Sequence, residues 1–170
     1  MSQVNATNSL SQIMADIDLG PTGSIQFQFA KLQMAQSQIC KNEAESYMKQ
    51  IESIQEEQKQ CADMIEKARK LQNEAKNGDK CTEMPDDMKK FFDDHGISYD
   101  TTGNDDFHSA DEWDYNLKSL TNYQEQIGNK TQTLMIYLQD FIGQYNSYQE
   151  GAMSAISSAT QTLRTIARGQ

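Results

Sequence analysis

The sequence predicts an all-α fold: a long antiparallel helical hairpin, or coiled coil, with a short helix and an acidic loop between its two helices. Two segments each repeat apolar residues every 3.5 positions, and an acidic break separates them. A repeat of 3.5 sustained over many heptads keeps one face of a helix on a partner helix. Proline occurs only as Pro21 and Pro85, which favours long helices over a compact mixed fold.

Residues 1–23 are interpreted as a flexible secretion leader rich in Ser, Asn and Gln. The leader has no apolar core, and the first basic residue of the chain is Lys31, so we do not expect a Sec signal peptide. A short helix around residues 10–17 is compatible with its pattern. The Gly20-Pro21-Thr22-Gly23 cluster then separates the leader from a single coiled-coil hairpin domain at 24–170.

The first long helix is predicted over residues 24–77. Ser24 is its N-cap, and Asn77-Gly78-Asp79 supplies the C-terminal stop. Steps that alternate between three and four place apolar and small residues on one face of a helix. The stripe that follows these steps is Ala44, Tyr47, Ile51, Ile54, Gln58, Cys61, Ile65 and Ala68.

The break at residues 78–109 is predicted as an acidic outer loop with one short helix at 85–95. Pro85 suits a first helical turn, with Asp86 and Asp87 near the positive end of the helix dipole, and His95-Gly96 ends the helix. Residues 79–114 carry 3 basic and 12 acidic groups, a balance of −9 in a chain whose net charge is −10. We therefore expect this segment to remain in solvent.

The second long helix is predicted over residues 110–168, with Ser109 and Glu112 as a capping box and Gly169 as the stop. A linker of about 30 residues can reverse the chain, which gives the antiparallel hairpin. Its main stripe is Trp113, Leu117, Leu120, Gln124, Ile127, Thr131, Leu134, Leu138, Phe141, Tyr145, Tyr148, Ala152, Ala155 and Ala159.

Apolar residues outside these stripes indicate a second surface. They occur near the start of the first helix and in a seven-residue series that runs from Met135 to Leu163. Such a surface needs a second partner, and we favour self-association or another partner over a wider core face or a third short helix that packs back. The residues expected in the coiled-coil and self-assembly surfaces are Phe29, Leu32, Ile51, Ile54, Ile65, Leu134, Leu138, Phe141, Ile142, Tyr145, Ile156 and Leu163.

Several function classes are not expected. The chain has no basic patch for nucleic acid or anionic membrane, and no apolar run of the roughly 18–20 residues that span a bilayer. The three cysteines, Cys40, Cys61 and Cys81, are interpreted as small core-facing thiols. Neither His95 nor His108 has a zinc-site spacing, so no metal and no cofactor are predicted. Without a phosphate loop or a nucleophile elbow, we expect no enzyme.

The acidic break between the two long helices resembles part of a known protein family. Glu83-Met84-Pro85-Asp86-Asp87-Met88, followed by Phe91-Phe92-Asp93-Asp94-His95-Gly96-Ile97, resembles the middle of EspA/SseB-type proteins of bacterial type III secretion. That family also has long coiled-coil helices on either side of this segment. The segment Gln144-Tyr145-Asn146-Ser147-Tyr148 is similar to the C-terminal helix of the same family. The motif match covers about 15 residues, and the architectural match covers about residues 24–170.

The resemblance implies a secreted, extracellular or cell-surface subunit that assembles into a hollow type III secretion filament. The filament would extend the secretion needle and conduct effectors toward a host cell. The implied partners are further copies of the chain, the needle, translocator proteins and a cytosolic export chaperone. The implied channel-lining residues are Arg164, Arg168 and Gln170. Two alternatives stay open: a needle-tip or translocator protein of the same system, and a cytosolic coiled-coil adaptor or chaperone.

Overall fold

The fold is the predicted all-α helical hairpin. The structure is a computed structural model that describes residues 9–19 and 24–169, except for the side chains of Asp79 and Asn104. The helices are α1 (Leu10–Asp16), α2 (Ile25–Glu74), α3 (Asp86–His95) and α4 (Ala110–Arg168), and the strands are β1 (Cys81–Glu83) and β2 (Phe107–Ser109). A π-helical turn at Ala75–Asp79 follows α2, and a 3-10 turn lies at Thr102–Asn104.

The element bounds agree closely with the predicted ones. The second helix matches 110–168, and the first ends at Glu74 because the π-helical turn replaces its predicted last residues. The short helix expected around residues 10–17 is α1, which a capping box between Ser9 and Gln12 begins. Residues 1–8 and 20–23 of the predicted leader, with its glycine breaker, lie outside the described residues.

The chain divides into two compact units. Unit 1 comprises Met1–Gln50 and Leu134–Gln170, and unit 2 comprises Ile51–Thr133. In unit 1, small residues line the contact between α2 and α4. The buried ones are Ala30 and Ala35 of α2 and Ala152 and Ala159 of α4. The Tyr47 ring stacks on Phe141 with centroids 5.6 Å apart. These contacts pair an earlier part of α2 with a later part of α4, as an antiparallel hairpin requires.

In unit 2 the main stripes meet as predicted. Ile54, Cys61 and Ile65 of α2 are buried, as are Leu120 and Ile127 of α4. The Cys61 thiol donates to the Leu120 carbonyl oxygen at 3.5 Å. Alternating steps of three and four in the sequence therefore place these side chains on the faces that meet.

The acidic break is a packed part of unit 2 rather than a simple loop. Strands β1 and β2 pair antiparallel, with Thr82 opposite His108. Helix α3 has an acidic first turn, and Gly96 ends it in the left-handed conformation at φ 63°. The buried side chains of the break and the adjoining start of α4 are Thr82, Met84, Met88, Phe91, Phe92, His108, Trp113 and Asn116. The carboxylates of the break that the structure describes are exposed or half-buried, while these apolar side chains turn inward.

Polar contacts tie the break to the long helices within unit 2. Trp113 Nε1 donates to Thr82 Oγ1 at 2.7 Å, and that hydroxyl donates to the Leu71 carbonyl oxygen at 3.0 Å. The Tyr123 hydroxyl donates to Glu57 and lies 2.8 Å from His95 Nδ1 at the end of α3. Burial raises the pKa of Tyr123, and the hydrogen bond to the Glu57 carboxylate raises it further.

The cysteines differ in exposure, which corrects the expectation that all three face a core. Cys40 and Cys61 are buried, but Cys81 on β1 is exposed. Burial raises the pKa of Cys61 to about 11, and nearby Glu57 adds to the effect. Only the thiolate reacts with alkylating agents, and with that pKa about one Cys61 in a thousand is a thiolate at pH 8.

We therefore expect iodoacetamide at pH 8 to alkylate Cys81 at least about 100-fold faster than Cys61. Mass spectrometry of the chain after a timed quench measures the two rates. The same reaction in denaturant is the control, and there the two rates should converge. Similar rates for Cys61 and Cys81 in the native chain would contradict the burial of Cys61.

Candidate self-association surface

Part of the predicted surface lies inside the hairpin. Ile51, Ile54 and Ile65 are 8%, 5% and 5% exposed, and Leu134 is 8% exposed. These four side chains belong to the coiled-coil core within one chain. They are not available to a second molecule unless the helices separate.

The other predicted residues fall into two groups. Leu32, Leu138, Phe141, Tyr145 and Ile156 are half-buried at the edges of the unit 1 helix pair. Three are largely exposed: Phe29 at 48%, Ile142 at 44% and Leu163 at 54%. The structure thus separates residues that hold the hairpin together from residues that are free to contact a partner.

A second stripe runs along α4 in unit 1. We define it by ten residues whose steps alternate between four and three: Met135, Gln139, Ile142, Asn146, Gln149, Met153, Ile156, Thr160, Leu163 and Ala167. As far as Thr160, each member immediately follows a member of the main stripe of α4. The second stripe therefore lies about 100° further round the helix than the main stripe. Gln149, Ile156 and Thr160 are half-buried and the other seven are exposed.

The second stripe has the properties of a helix-binding face. None of its ten residues is charged, and at 1.5 Å per residue it is roughly 48 Å long. A repeat of 3.5 keeps such a face on a partner helix over its whole length. The seven-residue series in the sequence identified the large apolar members and Gln149. It missed Gln139, Asn146 and Thr160, because amide and hydroxyl side chains do not stand out in a hydrophobicity pattern.

Exposed apolar side chains concentrate in the same unit. Of the thirteen large ones that are exposed among the described residues, eleven belong to unit 1. Phe107 and Tyr115 are the two in unit 2. In α2 the most exposed is Ile25, at 83%, beside Phe29 in a shallow groove that Ala155 and Ser158 of α4 also line.

Helix α1 covers a small part of the second stripe. Its Ile13 is 8% exposed and lines a groove of about 350 Å³ with Ser37 of α2 and Gln149 of α4. Gln149 Nε2 donates to Ser37 Oγ at 2.9 Å. A third short helix that packs back, the alternative to self-association, is therefore present at this point. It leaves Met135, Ile142, Met153 and Leu163 exposed.

The predicted channel-lining residues lie at the end of α4. Arg164 and Arg168 are exposed, as are all described residues from 161 to 169. Gln170 lies outside the described residues. The last turns of α4 therefore present two basic side chains close to Leu163 and Ile166, which are 54% and 58% exposed.

Comparison of the chain with protein-family models, with curated proteins and with solved structures finds no match. Within the part of the chain that the structure describes, no helix has an apolar stretch that could cross a bilayer.

Proposed function

We propose that this chain is a structural subunit that associates with copies of itself through the second stripe of α4. The observation that supports the proposal is an uncharged, largely exposed heptad stripe beside a coiled-coil core that is already complete. A helix that is apolar on one face needs one partner, and α2 supplies it. A second regular stripe needs another helix.

Energetics favour a long contact over a local one. Association costs about 4–15 kcal/mol in lost translational and rotational freedom, and apolar burial returns about 25 cal/mol per Å². Isolated contacts at Met135 or Leu163 would not offset that cost. A face roughly 48 Å long that pairs along its length can bury several hundred Å² per partner. A stripe that pairs with the same stripe of a second copy closes a two-fold dimer, so a polymer needs a further contact from each subunit.

The composition of the second stripe favours a second copy over a partner of another kind. Gln139, Asn146, Gln149 and Thr160 each carry both a donor and an acceptor, so two copies of the stripe can satisfy one another. Because the stripe has no charge, two copies do not repel each other along it. Specific heterologous coiled coils commonly select their partner through several charged flanking positions, and of those that flank this stripe only Glu150 and Arg164 are charged.

Together with the resemblance of the 83–97 segment to EspA/SseB-type proteins, this surface supports a more specific proposal. The chain would be an exported, extracellular subunit of a hollow type III secretion filament that extends the needle toward a host cell. The export chaperone would mask the second stripe before secretion. Arg164 and Arg168 would line the channel, with Gln170 beyond them.

The experiment that tests self-association replaces two exposed members of the second stripe, Ile142→Asp with Leu163→Asp. Two carboxylates on an apolar interface would be desolvated without partners, so we expect at least a tenfold rise in the concentration needed for assembly. The matched control is Ser147→Asp with Ser157→Asp, which adds the same charge at exposed positions of α4 outside the stripe. Light scattering across a concentration series measures the difference.

The form of the assembly distinguishes the alternatives. Helical fibres in negative-stain micrographs support the filament, and a closed ring of fixed size supports a tip or translocator protein instead. A chain that stays monomeric at high concentration contradicts self-association. Retention inside a cell with an intact secretion apparatus contradicts export and favours the cytosolic adaptor or chaperone.

A further inference from the structure

Three metal-ligating side chains converge in unit 2. Asp100, His108 and Glu112 each offer one ligand atom, and these atoms all lie within 4.8 Å of one another. His108 is only 1% exposed, and its Nδ1 has no hydrogen-bond partner in the described part of the chain. The imidazole lies beside two carboxylates, and a buried ring nitrogen without a partner is a second, independent indication of a ligand.

The two carboxylates are held in position by hydrogen bonds. Asp100 accepts from the Thr102 backbone N–H at 2.9 Å and from its hydroxyl at 3.1 Å. Glu112 accepts from the Ser109 backbone N–H at 2.6 Å, the capping-box contact at the start of α4. Each ionised carboxylate has about four acceptor positions, so both retain capacity for a cation.

The imidazole is held by packing. His108 lies on β2 opposite Thr82, and its ring meets the Trp113 ring edge-on with centroids 5.2 Å apart. Asn116 is fully buried one turn beyond Glu112, and its Oδ1 accepts from the Asp100 backbone N–H at 2.7 Å. The strand pair, the 3-10 turn and the helix start together fix the three ligands. Contacts of this kind orient ligands in metal sites.

We infer that Asp100, His108 and Glu112 bind a divalent transition-metal ion of the Zn²⁺ class. One imidazole and two carboxylates are a three-ligand set that leaves a position for water, as Zn²⁺ accepts. Ca²⁺ and Mg²⁺ prefer all-oxygen sites, so the imidazole disfavours them. At metal–ligand distances of about 2.0–2.2 Å, ligand atoms lie roughly 3–4 Å apart, which a small side-chain adjustment achieves from the present spacing.

The local charge favours the cation. Residues 79–114 carry a balance of −9 from 12 acidic and 3 basic groups. The positive end of the α4 dipole opposes a cation, but Asp111 and Glu112 in its first turn offset that effect. The site is independent of the second stripe, so its failure would leave the proposed function untouched.

Titration of the reduced full chain with Zn²⁺ in a calorimeter tests the inference. Cys81 is exposed, and thiolates are zinc ligands, so the titrations use a Cys81→Ser background to exclude binding at that thiol. We expect one ion per chain, and at least a tenfold loss of affinity in Glu112→Gln and in Asp100→Asn. Both variants keep the side-chain oxygen that accepts the backbone hydrogen bond, so the cap and the turn should persist, which circular dichroism checks.

The matched control is Asp111→Asn, which removes one exposed carboxylate from the same helical turn and should change the affinity less than twofold. The inference is overturned if Zn²⁺ does not bind the Cys81→Ser chain at millimolar concentration. It is also overturned if Glu112→Gln and Asp100→Asn bind as tightly as Asp111→Asn, or if Ca²⁺ binds more tightly than Zn²⁺.

Discussion

Replacement of Trp113 with alanine is expected to destabilise unit 2 by about 3–5 kcal/mol. The Trp113 side chain is fully buried, so the substitution leaves a large cavity. It also removes the Nε1 donor from Thr82, whose hydroxyl continues to the Leu71 carbonyl oxygen of α2. One side chain thus connects the start of α4, strand β1 and the end of α2, so its loss should destabilise the packing of all three.

Chemical denaturation followed by circular dichroism measures this change, because the substitution removes the chain's single tryptophan and with it the fluorescence signal. Trp113→Phe separates the two contributions: it retains an aromatic ring but not the N–H, and should cost about 1–2 kcal/mol for the lost hydrogen bond and the smaller ring. Tyr115→Ala is the control, since Tyr115 is 49% exposed on the same helix. A loss below about 1 kcal/mol in Trp113→Ala would contradict the packed break.

The helices were predictable from sequence because their signals are local. Ile54, Cys61 and Ile65 follow a heptad stripe, and their burial in the helix pair requires only that the stripe face a partner. The Ser109–Glu112 capping box is likewise a four-residue signal, and both of its hydrogen bonds are present. Local spacing fixes these features before any tertiary contact is known.

The β1–β2 pair and the Asp100–His108–Glu112 cluster were not predictable in the same way. Each strand has three residues, too few for an alternating pattern, and the partners Cys81 and Ser109 are far apart in sequence. His108 and Glu112 are four residues apart, but His108 lies on a strand and Glu112 on a helix. Their convergence follows from the direct junction of β2 with α4 between Ser109 and Ala110, which no helical or metal-ligand spacing rule describes.

The second stripe is an intermediate case. Its apolar members, Met135, Ile142 and Leu163, repeat every seven residues or a multiple of seven and were recognised as a second surface. Whether α2 or α1 covers them depends on the width of the helix contact, which the sequence does not give. In the structure these three side chains are exposed, and α1 reaches the stripe only near Gln149.

Ala152→Asp is expected to separate the two helices of unit 1 while unit 2 stays folded. Ala152 is 2% exposed where α4 approaches α2 through small residues. Aspartate is too short to carry its carboxylate out to water from that position. An unpaired buried charge costs about 3–5 kcal/mol in a packed interior, enough to open a unit whose core is mostly alanine. Ser154→Asp, at an exposed position on the same turn, should leave the helix pair intact.

Hydrogen exchange followed by mass spectrometry measures this effect by segment. Protection should fall in residues 24–50 and 134–160 and persist in 51–133, since local opening follows cooperative units. Equal loss throughout would mean that the two units unfold as one. The same measurement distinguishes two ways in which assembly can fail. We expect Ala152→Asp to abolish association because it opens the helix pair that presents the second stripe. Ile142→Asp with Leu163→Asp weakens association while protection stays unchanged, because both side chains are exposed and the core beneath them is intact.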